Sequence, residues 1–346
     1  MSALVAGAVF LLGLIVGSFL NAVIHRLPRG IGLGHPRRSF CPQCGRSLPW
    51  SENIPVLSWL LLRGRCAGCG TEISARYPLV EIITAALFLW VWFSFPPASA
   101  VVAMVLVGLL VAATFIDLEH MILPDSLTLG GAVAGVILSV AVPGWLPGAD
   151  WEERLRASLF GALAGFAALF LVVEIGKIVF GRKRIPFSPQ VDFRIQCDSD
   201  GARLRVGDED WPLGEFFYRP NDTLDLELAD GSVWKMRENG VEKDSVLTPY
   251  KEAAGWGGAL QAAVIPREAM GFGDVKFMLT LGAFLGWPGA LFSIGAGSVI
   301  GAIAGLVLLA ARRLDDSGRI PFGPYLAAGA LLWVLAGPAV LRVFAF

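Results

Sequence analysis

The sequence predicts an all-α polytopic membrane protein of about eight transmembrane helices, interrupted by a cysteine-bearing loop and a small β-rich insert. Three observations carry that prediction. Of 346 residues, 55% are hydrophobic and only 16% are charged. Apolar runs close to the roughly 20 residues that cross a bilayer recur along the chain. Fifteen of the 29 acidic residues crowd into 186–262, a stretch of different texture. Such a composition excludes an ordinary soluble enzyme and a disordered chain. A formal net charge of −1 gives no field to attract a polyanion, so membrane lipid is an expected partner and nucleic acid is not.

The apolar runs lie at 3–22, 78–96, 99–116, 126–143, 157–180, 275–287, 289–311 and 322–344. Trp287-Pro288-Gly289 suggests a tight turn that divides two of them. No basic n-region and no small-residue cleavage pattern precedes Asn21, so residues 1–22 are expected to be a true span. The loop 23–77 carries Arg26, Arg29, Arg37, Arg38, Arg46, Arg63, Arg65 and Arg76 against only Glu52 and Glu72. Positive-inside bias places that loop in the cytoplasm and the N-terminus outside. Counting spans then puts Arg182, Lys183, Arg184, Arg312 and Arg313 on the cytoplasmic side, and the acidic Asp150, Glu152 and Glu153 outside.

Within 186–262, alternating stretches at Val191–Gln196, Arg203–Val206, Leu224–Leu228 and Val233–Met236 are punctuated by Ser199-Asp200-Gly201 and Ala229-Asp230-Gly231. Asp-Gly turns between alternating runs predict hairpins, hence a β-rich cytoplasmic domain between spans five and six. No catalytic constellation is visible in it, and Cys197 there is expected to be an ordinary packed thiol.

The loop 23–77 holds two C-x-x-C knuckles, Cys41-Pro-Gln-Cys44-Gly and Cys66-Ala-Gly-Cys69-Gly. Each pair offers two thiolates to one tetrahedral ion, and the trailing glycines let the backbone curl towards the sulfurs. Zinc is the expected ion, in a structural role, because a closed four-thiolate shell leaves no place for water or substrate. Two disulfides are the rival reading, disfavoured in a reducing cytoplasm.

Acidic residues at the edge of an apolar span are costly and invite a functional reading. Asp117 ends span three, and Asp274 opens span six in Met270-Gly271-Phe272-Gly273-Asp274-Val275-Lys276. The predicted topology sets both at one depth on one side. Two carboxylates brought together in a partly dry site share a proton, one acting as base on a water and the other as acid towards a carbonyl. That is aspartic-protease chemistry. Gly271 and Gly273 would let an extended substrate strand approach beside Asp274. Singly, Asp274 could be a helix cap and Asp117 an interfacial charge; together with the glycines, chemistry is the better reading. For Asp125, after Pro124, an N-cap or interfacial role is expected ahead of chemistry. Glu119, His120 and Lys276 are candidates to tune the pair, although snorkelling to the interface explains Lys276 equally well.

On these residues the sequence resembles the prepilin peptidases, or type IV leader peptidases, membrane aspartic proteases of the GxGD type. The resemblance covers Gly17–Asn21, Arg26-Leu27-Pro28, both cysteine pairs, Glu52–Pro55, Arg76-Tyr77-Pro78, Asp117–Asp125, Gly271–Lys276 and Pro321-Phe322-Gly323-Pro324-Tyr325, leaving only the insert outside. It implies that Asp117 and Asp274 are the catalytic pair and that the cysteine loop is the zinc-bearing cytoplasmic region. It further implies cleavage of a positively charged leader from type IV prepilins or type II secretion pseudopilins, at the cytoplasmic face of the bacterial inner membrane. Members commonly also methylate the new N-terminus from S-adenosylmethionine, and here methylation rests on the resemblance alone. The insert is open to three readings: a gate for substrate, a dock for a pilus or secretion-machine component, and a neutral insertion.

Two other classes compete. An ion-coupled transporter also places acids in the membrane, but no inverted repeat relates the two aspartate-bearing halves, and cysteine knuckles have no evident place in a carrier. A zinc-stabilised scaffold without catalysis predicts that changing either aspartate leaves processing intact.

Overall fold

The computed structural model describes residues 3–34, 38–198, 201–217, 222–266, 270–311 and 320–344. Arg37, Arg312, Arg313 and the Ser199-Asp200 turn lie outside them. The chain forms two compact units, one of Met1–Phe170 with Gly271–Phe346 and one of Leu171–Met270.

The helices are α1 (Ala3–Arg26), the short α2 (Leu57–Leu61), α3 (Arg76–Ser94), α4 (Pro97–His120), α5 (Asp125–Ala141), α6 (Trp151–Phe180), α7 (Phe272–Ala310) and α8 (Gly323–Phe344). Among the described residues, α1, α3, α4, α6 and α7 are long and apolar enough to cross a membrane, and α5 and α8 are shorter apolar helices. Large apolar side chains such as Leu11, Ile15, Phe19, Phe160, Leu163 and Val299 stand on the outer surface. Exposure on that scale suits contact with lipid, and the fold is that of a multi-pass membrane protein.

With lipid outside, helices associate by close packing rather than by escape from water. Gly13 and Gly17, one turn apart on α1, let the backbone of α3 come so near that a Cβ on Gly17 would stand 2.6 Å from the Cα of Glu81. Gly161 of α6 meets α7 in the same way, its Cβ position lying 2.4 Å from the Gly282 carbonyl oxygen. Buried hydroxyls complete these seams, with Thr280 of α7 donating to the Thr128 carbonyl of α5 at 2.6 Å.

The break in α7 falls at Gly286, one residue before the Trp287-Pro288-Gly289 turn read from the sequence. Gly286 takes φ 68, which glycine adopts without a Cβ penalty, and Pro288 sits inside the helical stretch that follows. Pro288 has no N–H for the Phe284 carbonyl, and the Trp145 indole N–H donates to that oxygen instead at 2.6 Å. The neighbouring Ala283 carbonyl accepts from Ser139 and Ser158 at 3.0 and 2.8 Å. Two of the carbonyls freed by the interruption are thus given side-chain donors in the apolar interior.

The second unit contains an eight-stranded antiparallel sheet in the order β3-β2-β1-β8-β4-β5-β6-β7. Its strands are β1 (Arg182–Asp198), β2 (Gly201–Val206), β3 (Glu209–Pro212), β4 (Leu224–Leu228), β5 (Val233–Arg237), β6 (Gly240–Lys243), β7 (Val246–Thr248) and β8 (Gly257–Pro266). Alternate residues, such as Phe193 and Ile195, Leu204 and Val206, and Leu224, Leu226 and Leu228, turn inward to one core around Trp234. The sheet runs from Arg182 to Pro266, wider than the 186–262 read from the sequence. The basic run counted as a membrane flank belongs to β1, where Arg182 pairs with Asp225 at 2.9 Å and Arg184 with Glu227 at 2.5 Å.

Candidate active site

Asp117 lies in the last turn of α4, which ends when Met121 takes a left-handed conformation and returns its N–H to the Asp117 carbonyl at 2.9 Å. Asp274 lies in the first turn of α7, three residues after Gly271, which occupies the N-cap position. The link between α4 and α5 folds onto the start of α7, where a Cβ on Gly273 would stand 3.1 Å from the Cβ of Leu123. That fold-back sets the start of α7 against the link that follows Asp117, and so brings two aspartates remote in sequence to the same end of the helical unit. Both are buried, 5% and 8% exposed, where an acid is costly to keep without an ion partner.

Their partners differ. The Gly323 backbone N–H, at the start of α8, donates to Asp117 Oδ2 at 2.9 Å, and a Cβ at that position would stand 2.8 Å from the same oxygen. Asp274 Oδ1 is buried without a hydrogen-bond partner among the described residues. One carboxylate is thus held by an amide while the other presents an open acceptor, which is the kind of asymmetry that a water and a shared proton require. In the sequence, Pro321–Tyr325 stands out only through the family resemblance, and no local pattern marks Gly323.

The other candidates fall around this pair. Lys276 forms an ion pair with Asp125, and Glu119 forms one with Arg76 of α3. His120 lies 4.0 Å from Glu119 and 3.4 Å from Arg29. Asp125 is not an N-cap: Pro124 occupies that position and makes no side-chain cap, so Asp125 is spent on Lys276. The missing side chain of Gly273 makes room for Leu123, whereas a Cβ on Gly271 would touch only Asp274 Oδ2, at 3.7 Å.

In the cysteine loop, the two knuckles repeat one local fold. Cys41 N–H donates to the Arg46 carbonyl and Gly45 N–H to the Cys41 carbonyl; Cys66 pairs likewise with Thr71 and Gly70 with Cys66, at 2.9–3.0 Å. Gly45 and Gly70 hold φ 69 and 73, the left-handed turn that a side chain would resist. All four sulfurs lie within 4.8 Å of one another, and none is in a disulfide. Cys41 and Cys69 are 3.9 Å apart, close to the ~3.8 Å edge of a tetrahedron with metal–sulfur bonds of about 2.3 Å. The thiols are unequal without an ion: Thr71 holds Cys69 down to about 6. The Arg46 amide draws Cys44 down, but desolvation and the neighbouring thiols outweigh it and push that group up to about 11.

Comparison with known proteins gives the site its context. Residues 11–95 match the family described as Bacterial Peptidase A24 N-terminal domain, and residues 104–184 and 246–306 match the Type IV leader peptidase family. The stretch left between the latter two falls within the sheet unit. A protein of Aeromonas salmonicida named "Prepilin leader peptidase/N-methyltransferase" is 30% identical over 96% of this chain and 91% of its own. One of the same name from Pseudomonas aeruginosa is 29% identical over the same shares. Another from Myxococcus xanthus is 47% identical, over 51% of this chain and 50% of its own length. No solved structure matches. By a similarity that runs through both aspartates, both knuckles and nearly the whole length, the chain belongs to the type IV leader peptidase family.

Proposed function

We propose that this protein is a membrane aspartic endopeptidase that removes the leader from type IV prepilins or type II secretion pseudopilins. It works at the cytoplasmic face of the bacterial inner membrane, with its N-terminus outside and about eight spans once α7 is divided at Gly286. The juxtaposition of Asp117 and Asp274 carries this reading, since two buried acids with no cationic partner among the described residues are costly unless they serve a shared task. One carboxylate takes a proton from a water as that water attacks the scissile carbonyl, and the other gives a proton to the carbonyl oxygen; the tetrahedral adduct then collapses with protonation of the leaving nitrogen. Gly323 keeps Asp117 in register through its N–H. The Lys276–Asp125 and Arg76–Glu119 pairs tie the ends of α7, α5, α3 and α4 around the dyad and serve as supports.

The four thiolates fit zinc by donor type and spacing. Cys41, Cys44, Cys66 and Cys69 would hold it in a closed shell that stabilises the loop and leaves no open coordination position. N-methylation of the new N-terminus is part of the proposal, by analogy with the relatives' names; S-adenosylmethionine would supply an electrophilic methyl group. The sheet unit is proposed as a docking surface or tolerated insertion outside the chemistry.

The test is to incubate purified protein with a synthetic prepilin in detergent, with and without S-adenosylmethionine, and to read the product N-terminus by mass spectrometry. The reading requires a single cut directly before the apolar helix, and an uncut substrate would contradict it.

A further inference from the structure

Away from the aspartates, the cysteine loop turns a hydrophobic face outward. In α2, Leu57, Leu60 and Leu61 stand at i, i+3 and i+4 and so share one side of the helix. All three are more than half exposed, Leu61 by 81%. The polar atoms of α2 point the other way. Ser58 is buried, donating to the Ser51 carbonyl at 3.0 Å and accepting the Ile54 N–H at 2.8 Å. The Trp59 indole N–H donates to the Ile73 carbonyl at 2.9 Å, and a Cβ on Gly64 would stand 3.0 Å from its ring, so α2 is fused to the second knuckle. Hydroxyl inward and leucines outward is the reverse of the order that water imposes. Trp50, in the turn that Ser51 joins to α2, is 82% exposed as well.

The surroundings of this face identify what covers it. The Val56 N–H, one residue before α2, donates to Glu81 Oε2 at 2.7 Å. Glu81 lies in the first two turns of α3, a helix long and apolar enough to cross a membrane. The entry to α2 is thereby tied to a span near the end at which that span leaves the bilayer. Leu79 and Ile82, on either side of Glu81 in the chain, are half-exposed and belong to the lipid-facing surface of the span. Arg63 and Arg65, just past α2, are exposed, and the loop 23–77 carries eight arginines against two glutamates. Leucines and an indole beside guanidinium groups match the headgroup layer of an anionic leaflet, where apolar side chains sink and arginines stay with phosphate. We propose that α2 and Trp50 lie in that layer as an anchor, seating the cysteine loop on the membrane from which α1 and α3 emerge. The positively charged leader implied for the substrate would be repelled by the same arginines, which favours lipid as the occupant. The anchor does not depend on which reaction the aspartates perform.

The test places the full chain in vesicles of phosphatidylcholine and phosphatidylglycerol, with or without acyl chains brominated near the headgroup. Leu61→Trp adds an indole on the proposed face and Trp50→Phe removes the native one, so each difference from wild type isolates one position among the eleven tryptophans. Both side chains are exposed, so neither change disturbs packing, and a thermal melt verifies that each variant is folded. Trp50→Phe carries the test should Leu61→Trp fail to fold. Both difference emissions are expected to fall by roughly half or more with brominated lipid, to resist iodide in the water, and to fall less in vesicles without phosphatidylglycerol. Quenching by iodide and not by bromine would overturn the proposal. Equal quenching with and without phosphatidylglycerol would overturn its anionic part. Shielding from iodide that appears only once a synthetic prepilin is added would overturn lipid as the occupant and give the face to the substrate.

Discussion

Replacing Gly323 by alanine tests how the aspartate pair is held. The new Cβ would stand 2.8 Å from Asp117 Oδ2 and 3.2 Å from its Cγ, where ordinary contact begins near 3.4 Å. Either the carboxylate or the start of α8 must yield by about half an ångström, and the 2.9 Å bond from the Gly323 N–H is stretched or lost. A hydrogen bond to a charged group contributes about 1.5–3 kcal/mol, and each 1.4 kcal/mol in a barrier is about tenfold in rate. If the whole of that orientation matters in the transition state, kcat falls about 10- to 100-fold while KM stays near its wild-type value. The assay is steady-state cleavage of a synthetic prepilin by purified protein, with a thermal melt to verify that the variant is folded. A folded Gly323→Ala enzyme whose kcat lies within about twofold of wild type would refute the reasoning.

Three further expectations follow from the same geometry. Serine at Cys41 and Cys66 should abolish zinc in the purified protein, measured by atomic emission; in the unsubstituted apo-loop, zinc uptake at neutral pH should release protons, because Cys44 near 11 is still protonated whereas Cys69 near 6 is mostly ionised, so affinity should rise with pH. Removing either partner of the Lys276–Asp125 pair should slow cleavage only about two- to fivefold, since Asp125 is largely exposed, and exchanging the two residues should recover most of the loss. Arg182 pairs with Pro266 across β1 and β8, so the ends of the sheet unit are neighbours, and replacing Arg182–Pro266 by a short Gly-Ser linker should leave a chain that still cuts its prepilin in membranes. Loss of cutting there would make the unit a gate.

Much of this was legible in the sequence because the signals are local. Apolar length marks a span, C-x-x-C-Gly marks a knuckle, and Asp-Gly marks a hairpin turn, each within a few residues. The rest depends on contacts that local patterns do not encode. Lys276 meets Asp125 across 151 positions, and the Gly323 amide meets Asp117 across 206. The break in α7 fell at Gly286 because φ 68 is free only to glycine, while Pro288, the more visible punctuation, fits the first turn of the helix beyond. The basic run at Arg182–Arg184 looks like a membrane flank until the cross-strand acids Asp225 and Glu227 are known. Glu81 is a further signal, an acid within the apolar run 78–96 whose cost marks it out, as Glu174 does within the run 157–180.

The most direct measurement compares cleavage of one prepilin by the wild-type protein and by the Asp117→Asn and Asp274→Asn variants, all inserted in membranes at equal amounts. If the two acids share one water and one proton, each asparagine alone abolishes cutting; substantial cleavage by either would mean that the dyad is not the catalytic centre.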